Sequence, residues 1–239
     1  MVTLLSLALL LASVDASQVV GGERSASDAW PSAASVFFGN SPGCSGVLIG
    51  PTLALTAGHC NSHQLNRIYV GGNDLRDLSQ GELITVAERI EYPDSQSTYD
   101  LTLLVLSEPA ETPPITVAHG CLQAEIVNGA ETQVVGFGAT DTWGQQGSQV
   151  LMEATIPVTD ADCSGQGRGC NHQVSPGGEL VAGGDGVDSC SGDSGGPLYL
   201  WSSWGEPFLV GLTSRAAAPA SVPCGDGGIY VRVGCSFPV

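Results

Sequence analysis

What most limits how this chain folds is the lack of any long stretch with a helical period. Its apolar residues come instead in short runs: "ASVFF", "SGVLIG", "LALTAG", "RIYVGG", "ELITVAERIEY", "DLTLLVL", "TQVVGFGA", "VLMEATIPV", "GPLYLW", "FLVGLTS" and "GIYVRV". Several of them alternate apolar with polar side chains, as a strand does when one face lies in a core. Turn formers separate the runs, drawn from 33 glycines and 14 prolines. Evenly spaced short strands with frequent turns predict an all-β sandwich or barrel with little helix, rather than a parallel sheet covered by helices. No repeat, low-complexity tract or long linker interrupts the pattern. The "TPPIT" segment around Pro113 and Pro114 is the expected join between two β halves.

Composition narrows the function classes. A chain of 239 residues is long enough to bury a full core. It carries 24 acidic against 7 basic residues, a net charge of −17, so it has too few cations to neutralise a run of phosphates and no nucleic-acid partner is expected. The same charge suits a soluble protein that meets basic peptides. The opening "MVTLLSLALLLASVDA" has an apolar run from Val2 to Ala12, too short to span a bilayer. Val14 and Ala16 fit the small-residue pattern of a leader cut after Ala16. An exported, extracellular protein with no membrane partner is the expectation. Eight cysteines in such a chain favour disulfides. Paired Cys-x-x-Cys ligands are absent, and no metal is expected.

Three segments carry chemistry. "LTAGHC" ends an apolar run at His59, "STYDLTLLVL" sets Asp100 at the head of an apolar strand, and "GDSGGP" sets Ser194 among glycines. Peptide hydrolysis by serine needs a hydroxyl on a cramped exposed turn, a base to accept its proton and a carboxylate to orient that base. It also needs backbone N–H groups aimed at the developing oxyanion, which Gly192 and Ser194 are placed to supply.

These motifs, in the chain order His59, Asp100, Ser194, resemble the trypsin-like serine proteases, whose order differs from those of subtilisin and the α/β-hydrolases. The resemblance implies a fold of two packed antiparallel Greek-key β-barrels, about 30–112 and about 115–235, within a peptidase domain over 19–239. It implies His59 as general base and then acid, Asp100 as its orienting partner, and Ser194 as nucleophile. "VVGG" from Val19 resembles the segment that becomes the new N-terminus on activation, its α-ammonium pairing with Asp193. Gln18 stands where most relatives have Arg or Lys, so Ser17-Gln18 is expected to be a two-residue propeptide. Asp188, six residues before Ser194, corresponds to a pocket floor that selects Arg or Lys, with Ser214, Ala216 and Gly228 along the walls. Small-residue preference is the fallback, because Ala216 adds a methyl where glycine is usual and Arg215 brings positive charge where tryptophan is usual. The resemblance implies disulfides Cys44–Cys60, Cys190–Cys224 and Cys121–Cys235, which leaves Cys163 and Cys170 to each other. "GGNDLRDLSQGE" matches a calcium loop in position but not in ligand spacing. No cofactor is implied. The expected partners are protein or peptide substrates and proteinaceous inhibitors of a monomer, and the rival reading is a non-catalytic binding protein on the same scaffold.

Overall fold

The computed structural model describes residues 19–93, 99–165, 169–171 and 178–234. The expected leader (1–16), the propeptide (17–18) and Cys235 lie outside these residues.

The first half forms a closed barrel of β2 (Ala33–Phe38), β3 (Ser41–Gly50), β4 (Leu53–Thr56), β5 (Leu65–Val70), β6 (Glu82–Glu91) and β7 (Thr102–Leu106), ordered β2-β3-β4-β7-β6-β5. The second uses β8 (Glu131–Gly136), β9 (Met152–Asp160), β10 (Glu179–Ala182), β11 (Pro197–Trp201), β12 (Pro207–Ala216) and β13 (Gly228–Arg232), in the order β8-β9-β10-β13-β12-β11. Pairing of β8 with β9 closes this second ring, and the short β1 (Glu23–Arg24) adds to β9 from outside. Every pairing between these strands is antiparallel. Numbered within its own half, each barrel has the same strand order, a correspondence with no trace of a sequence repeat. Helix among the described residues is limited to 3-10 turns at Gly58–Cys60, Leu78–Gln80 and Gly120–Glu125.

The strands follow from the apolar runs. In β9, Met152, Ala154, Ile156 and Val158 face the core while Thr155, Pro157 and Thr159 face solvent, the period of two that a half-buried strand demands. β10 is the four-residue strand that the run pattern misses. "ELVA" sits between glycines and is buried throughout, so it shows no alternation. The first barrel is filled by side chains such as Val36, Leu48, Ile68 and Leu104, and the second by Ile156, Leu180, Leu198 and Tyr230. A third cluster, including Trp30, Val47, Val135, Tyr199 and Leu212, joins the barrels, with Trp30 stacked on Tyr199 at 4.5 Å. The connector after Pro114 is stitched to both halves: Ile115 N–H donates to Leu48 in β3 and Ala118 N–H to Leu209 in β12.

Among the described residues three disulfides are formed: Cys44–Cys60, Cys163–Cys170 and Cys190–Cys224. Cys121 is exposed on the Gly120–Glu125 turn, and its expected partner, Cys235, lies outside the described residues.

Candidate active site

Strand register brings the histidine and its carboxylate together. β4 and β7 are antiparallel with Thr56 opposite Thr102, so the chain just after Thr56 meets the chain just before Thr102. His59 and Asp100 occupy those extensions. His59 N–H donates to Asp100 Oδ1 at 2.8 Å, and His59 Nδ1 lies 2.8 Å from Asp100 Oδ2. Asp100 Oδ2 also accepts from Ser214 Oγ at 2.6 Å. Burial alone would push the Asp100 carboxyl up. The hydrogen bonds from His59 and Ser214 outweigh it and hold the group below the ordinary aspartate range. The His59 ring itself stays open to solvent, where a substrate can reach it.

Ser194 rides on the loop before β11, pinned on all sides by its neighbours. Its C=O accepts from Ser45 N–H at 2.9 Å, Gly195 N–H donates to Thr213 at 2.7 Å, and Gly196 N–H donates to Asp193 at 2.7 Å. Cys60, beside the histidine, has its sulfur 3.7 Å from the Ser194 carbonyl oxygen. Gly195 shows why the motif needs glycine: its φ is +79°, and an added Cβ would collide with Thr56 Oγ1 and Ala57 N in the strand leading to His59. The Ser194 loop therefore presses directly on the histidine segment. Among the described residues neither Gly192 nor Ser194 spends its N–H on an acceptor. The Gly192 carbonyl is held from behind by Ser45 Oγ at 2.9 Å, and the same oxygen of Ser45 accepts from Phe137 N–H at 3.2 Å.

Asp193 is fully buried beneath this loop. Its carboxylate accepts from Gly138 N–H at 2.8 Å and Cys190 N–H at 2.9 Å, yet burial pushes it up to about 7. Val19 is buried in the second barrel's core, and Val20 bridges to Asp188, accepting from its N–H at 3.1 Å.

A family model described as Trypsin matches residues 19–237. The chain belongs to the trypsin family. A trypsin of Saccharopolyspora erythraea is 32% identical over 203 residues, which cover 82% of this chain and 84% of that one. The serine proteinase stubble of Drosophila melanogaster is 34% identical over 239 residues, covering 90% of this chain but only 30% of its own length. Among solved structures, neuropsin, a serine protease expressed in the limbic system of mouse brain, superposes with a TM-score of 0.70 at 25% identity, over 89% of this chain and 93% of its own. The two six-stranded barrels are the chymotrypsin fold, and the chain is a serine endopeptidase of this family.

Beside Ser194 a cavity of about 160 Å³ opens between the end of β12 (Thr213 to Ala216) and the segment Ser189–Ser191, with Cys190–Cys224 clamping the two walls. Asp188 lies behind Ser189 and is almost wholly buried. Its Oδ1 accepts from Ser189 N–H at 2.7 Å and its Oδ2 from Gly227 N–H at 3.1 Å. Burial nevertheless pushes its carboxyl up to about 6. An added Cβ at Gly228 would come 3.0 Å from Asp188 Oδ1 and 3.0 Å from Ser189 Oγ, so a larger residue there would crowd the pocket base.

Two findings go beyond the trypsin-family motifs. Ser45 touches Ser194, Gly192 and Phe137 at once, and only its place one residue after Cys44 hinted at it. Arg215 does not present a free charge to the cleft as its position suggested. Its guanidinium forks onto Glu179, Nη1 to Oε1 at 2.7 Å and Nη2 to Oε2 at 2.8 Å. The calcium-like loop is otherwise engaged as well, because Asp74 is held by Arg76 at 2.5 Å and Arg24 at 3.7 Å.

Proposed function

We propose that this chain is a secreted endopeptidase that cleaves peptide bonds after Arg or Lys through His59, Asp100 and Ser194. In this reading the Ser194 hydroxyl attacks the scissile carbonyl as His59 takes its proton, and Asp100 holds the imidazole by Nδ1 and stabilises the imidazolium that forms. The N–H groups of Gly192 and Ser194 receive the oxyanion. His59 then gives the proton to the leaving amine, and water repeats the sequence to release the acyl group.

The observation that carries the specificity is the Asp188 carboxylate. Among the described residues it meets N–H and O–H donors but no cation, so a guanidinium or ammonium entering the pocket would relieve a charge otherwise left buried alone. A second reading, preference for small side chains, draws support from Ser189 standing between Asp188 and the cavity and from the Ala216 methyl on the wall. Activation would follow removal of residues 1–16 and then Ser17-Gln18, so that the Val19 ammonium neutralises Asp193.

The test is hydrolysis of matched peptide amides ending in Arg, Ala or Phe by protein confirmed to begin at Val19, with Ser194→Ala as blank. Arg cleavage lost in the variant is the expected result. Ala cleavage would transfer the assignment to the second reading. No cleavage of any substrate would favour a binding protein on the same scaffold.

A further inference from the structure

In this chain the hydrogen-bonded line behind the histidine does not end at Ser214. Arg215 Nη1 lies 3.2 Å from Ser214 Oγ, and Ser214 Oγ lies 2.6 Å from Asp100 Oδ2. A guanidinium can only donate, so the serine oxygen accepts from Arg215 and its single proton is directed onto Asp100. Behind the arginine stands Glu179, 3% exposed, which neutralises it through a two-pronged contact and also accepts from Asn171 N–H at 2.8 Å. Arg215 Nη2 donates as well to the Gly169 carbonyl at 3.0 Å. Gly169 and Asn171 flank Cys170, whose bond to Cys163 holds that segment against the barrel.

We infer that Arg215 is a positioning residue for the catalytic proton transfer: paired with Glu179, it fixes the Ser214 hydroxyl as a donor to Asp100 and sets the field that His59 feels. The inference rests on the triad assigned above. It joins two departures that looked unrelated, an arginine at the end of β12 and a short Cys163–Cys170 loop, into one support. The loop supplies acceptors and donors to the ion pair, and the ion pair supplies the donor that orients Ser214. Charged groups on the elements that build the site are several. Asp100 precedes β7, Glu91 on β6 is reached from Asn61 Nδ2 at 3.2 Å, Asp188 and Asp193 precede Ser194 in the chain before β11, Arg215 is the penultimate residue of β12, and Glu179 begins β10. Of these, Arg215 and Glu179 carry opposite charges on one hydrogen-bonded line, so their removal has opposite signs.

The experiment is the pH profile of kcat/KM for the substrate that the wild type, beginning at Val19, cleaves fastest. Glu179→Gln leaves Arg215 uncompensated and disfavours protonated His59, so the acid limb moves to lower pH by about 0.3 to 0.5 of a unit. Arg215→Met leaves Glu179 uncompensated, and the limb moves to higher pH by a similar amount. The double variant Arg215→Met, Glu179→Met removes both charges and fills the space with apolar atoms, a replacement that buried ion pairs tolerate. Its acid limb returns to the wild-type position while kcat falls about three- to tenfold, because Ser214 has lost the donor that aims its proton. Acid limbs of Glu179→Gln and Arg215→Met that both coincide with the wild type would overturn the inference, as would a double variant with full kcat. If Arg215→Met does not fold, Glu179→Gln and the double variant still decide. An inactive wild type would instead count against the proteolytic assignment.

Discussion

At the scale of single residues, Asp188 sets a pH window. Its carboxyl stands at about 6 in the folded protein against an ordinary 3.8, with burial as the main cause. Between those values the folded chain holds a proton that the unfolded chain has lost, so this group's contribution to stability falls as pH rises from about 4 to about 6 and is level above. Binding of a cation beside Asp188, as proposed above, would have the opposite sign, since it requires the ionised form. Affinity for a small amidinium ligand is therefore expected to be constant above about pH 6 and to fall about tenfold for each unit below it. Titration calorimetry across that range checks this, with Asp188→Asn abolishing the dependence. Affinity unchanged down to pH 4 would remove Asp188 from the pocket's chemistry.

At the scale of elements, β3 is what couples the two halves of the site. Ser45 on that strand takes the Ser194 carbonyl with its N–H, accepts Thr56 Oγ1 at 2.8 Å with its C=O, and bridges Phe137 N–H to the Gly192 carbonyl with its hydroxyl. Ser45→Ala leaves the buried Phe137 N–H and the half-buried Gly192 carbonyl without that partner, at a cost of about 1–3 kcal/mol. Loosening falls on the Gly192–Ser194 loop proposed to receive the oxyanion, so kcat is expected to drop about tenfold or more with KM little changed, a pattern that steady-state kinetics will show. Equal losses in kcat and in thermal stability, with KM rising, would mean that Ser45 serves folding alone. Elements of this kind also mark what can be read from a linear chain. Strands with alternating side chains and motifs such as "GDSGGP" carry their chemistry within a few residues, so an all-β fold and the candidate triad residues could be named beforehand, while the division into two barrels came from the resemblance that those motifs carry. β10 could not, because four residues between glycines, buried throughout and one of them the charged Glu179, have no period to display. Nor could the Glu179–Arg215 pair, whose members are 36 positions apart and meet only because β13 lies between β10 and β12. Such contacts are products of barrel closure rather than of local sequence.

The molecule as a whole carries a net charge of −17 and no lysine, and each of its described arginines is held by carboxylates or carbonyl and amide oxygens. Its field at a distance is therefore negative, with little local relief from exposed free cations. A basic peptide diffusing toward such a surface is drawn in before it touches the pocket, and the pull extends about one Debye length, roughly 30 Å at 0.01 M salt and 8 Å at 0.15 M. Steering of this kind acts on encounter, not on the bound complex. For Arg-ending substrates with further basic residues, kcat/KM is expected to fall about tenfold or more between those salt concentrations while kcat stays nearly constant. A peptide of the same length that keeps the scissile Arg but has uncharged flanks should show a smaller salt dependence, which separates steering from the proposed contact with Asp188. Stopped-flow measurements on the paired substrates provide the check. If both substrates lose rate equally, the excess acid on this surface serves solubility and takes no part in substrate capture.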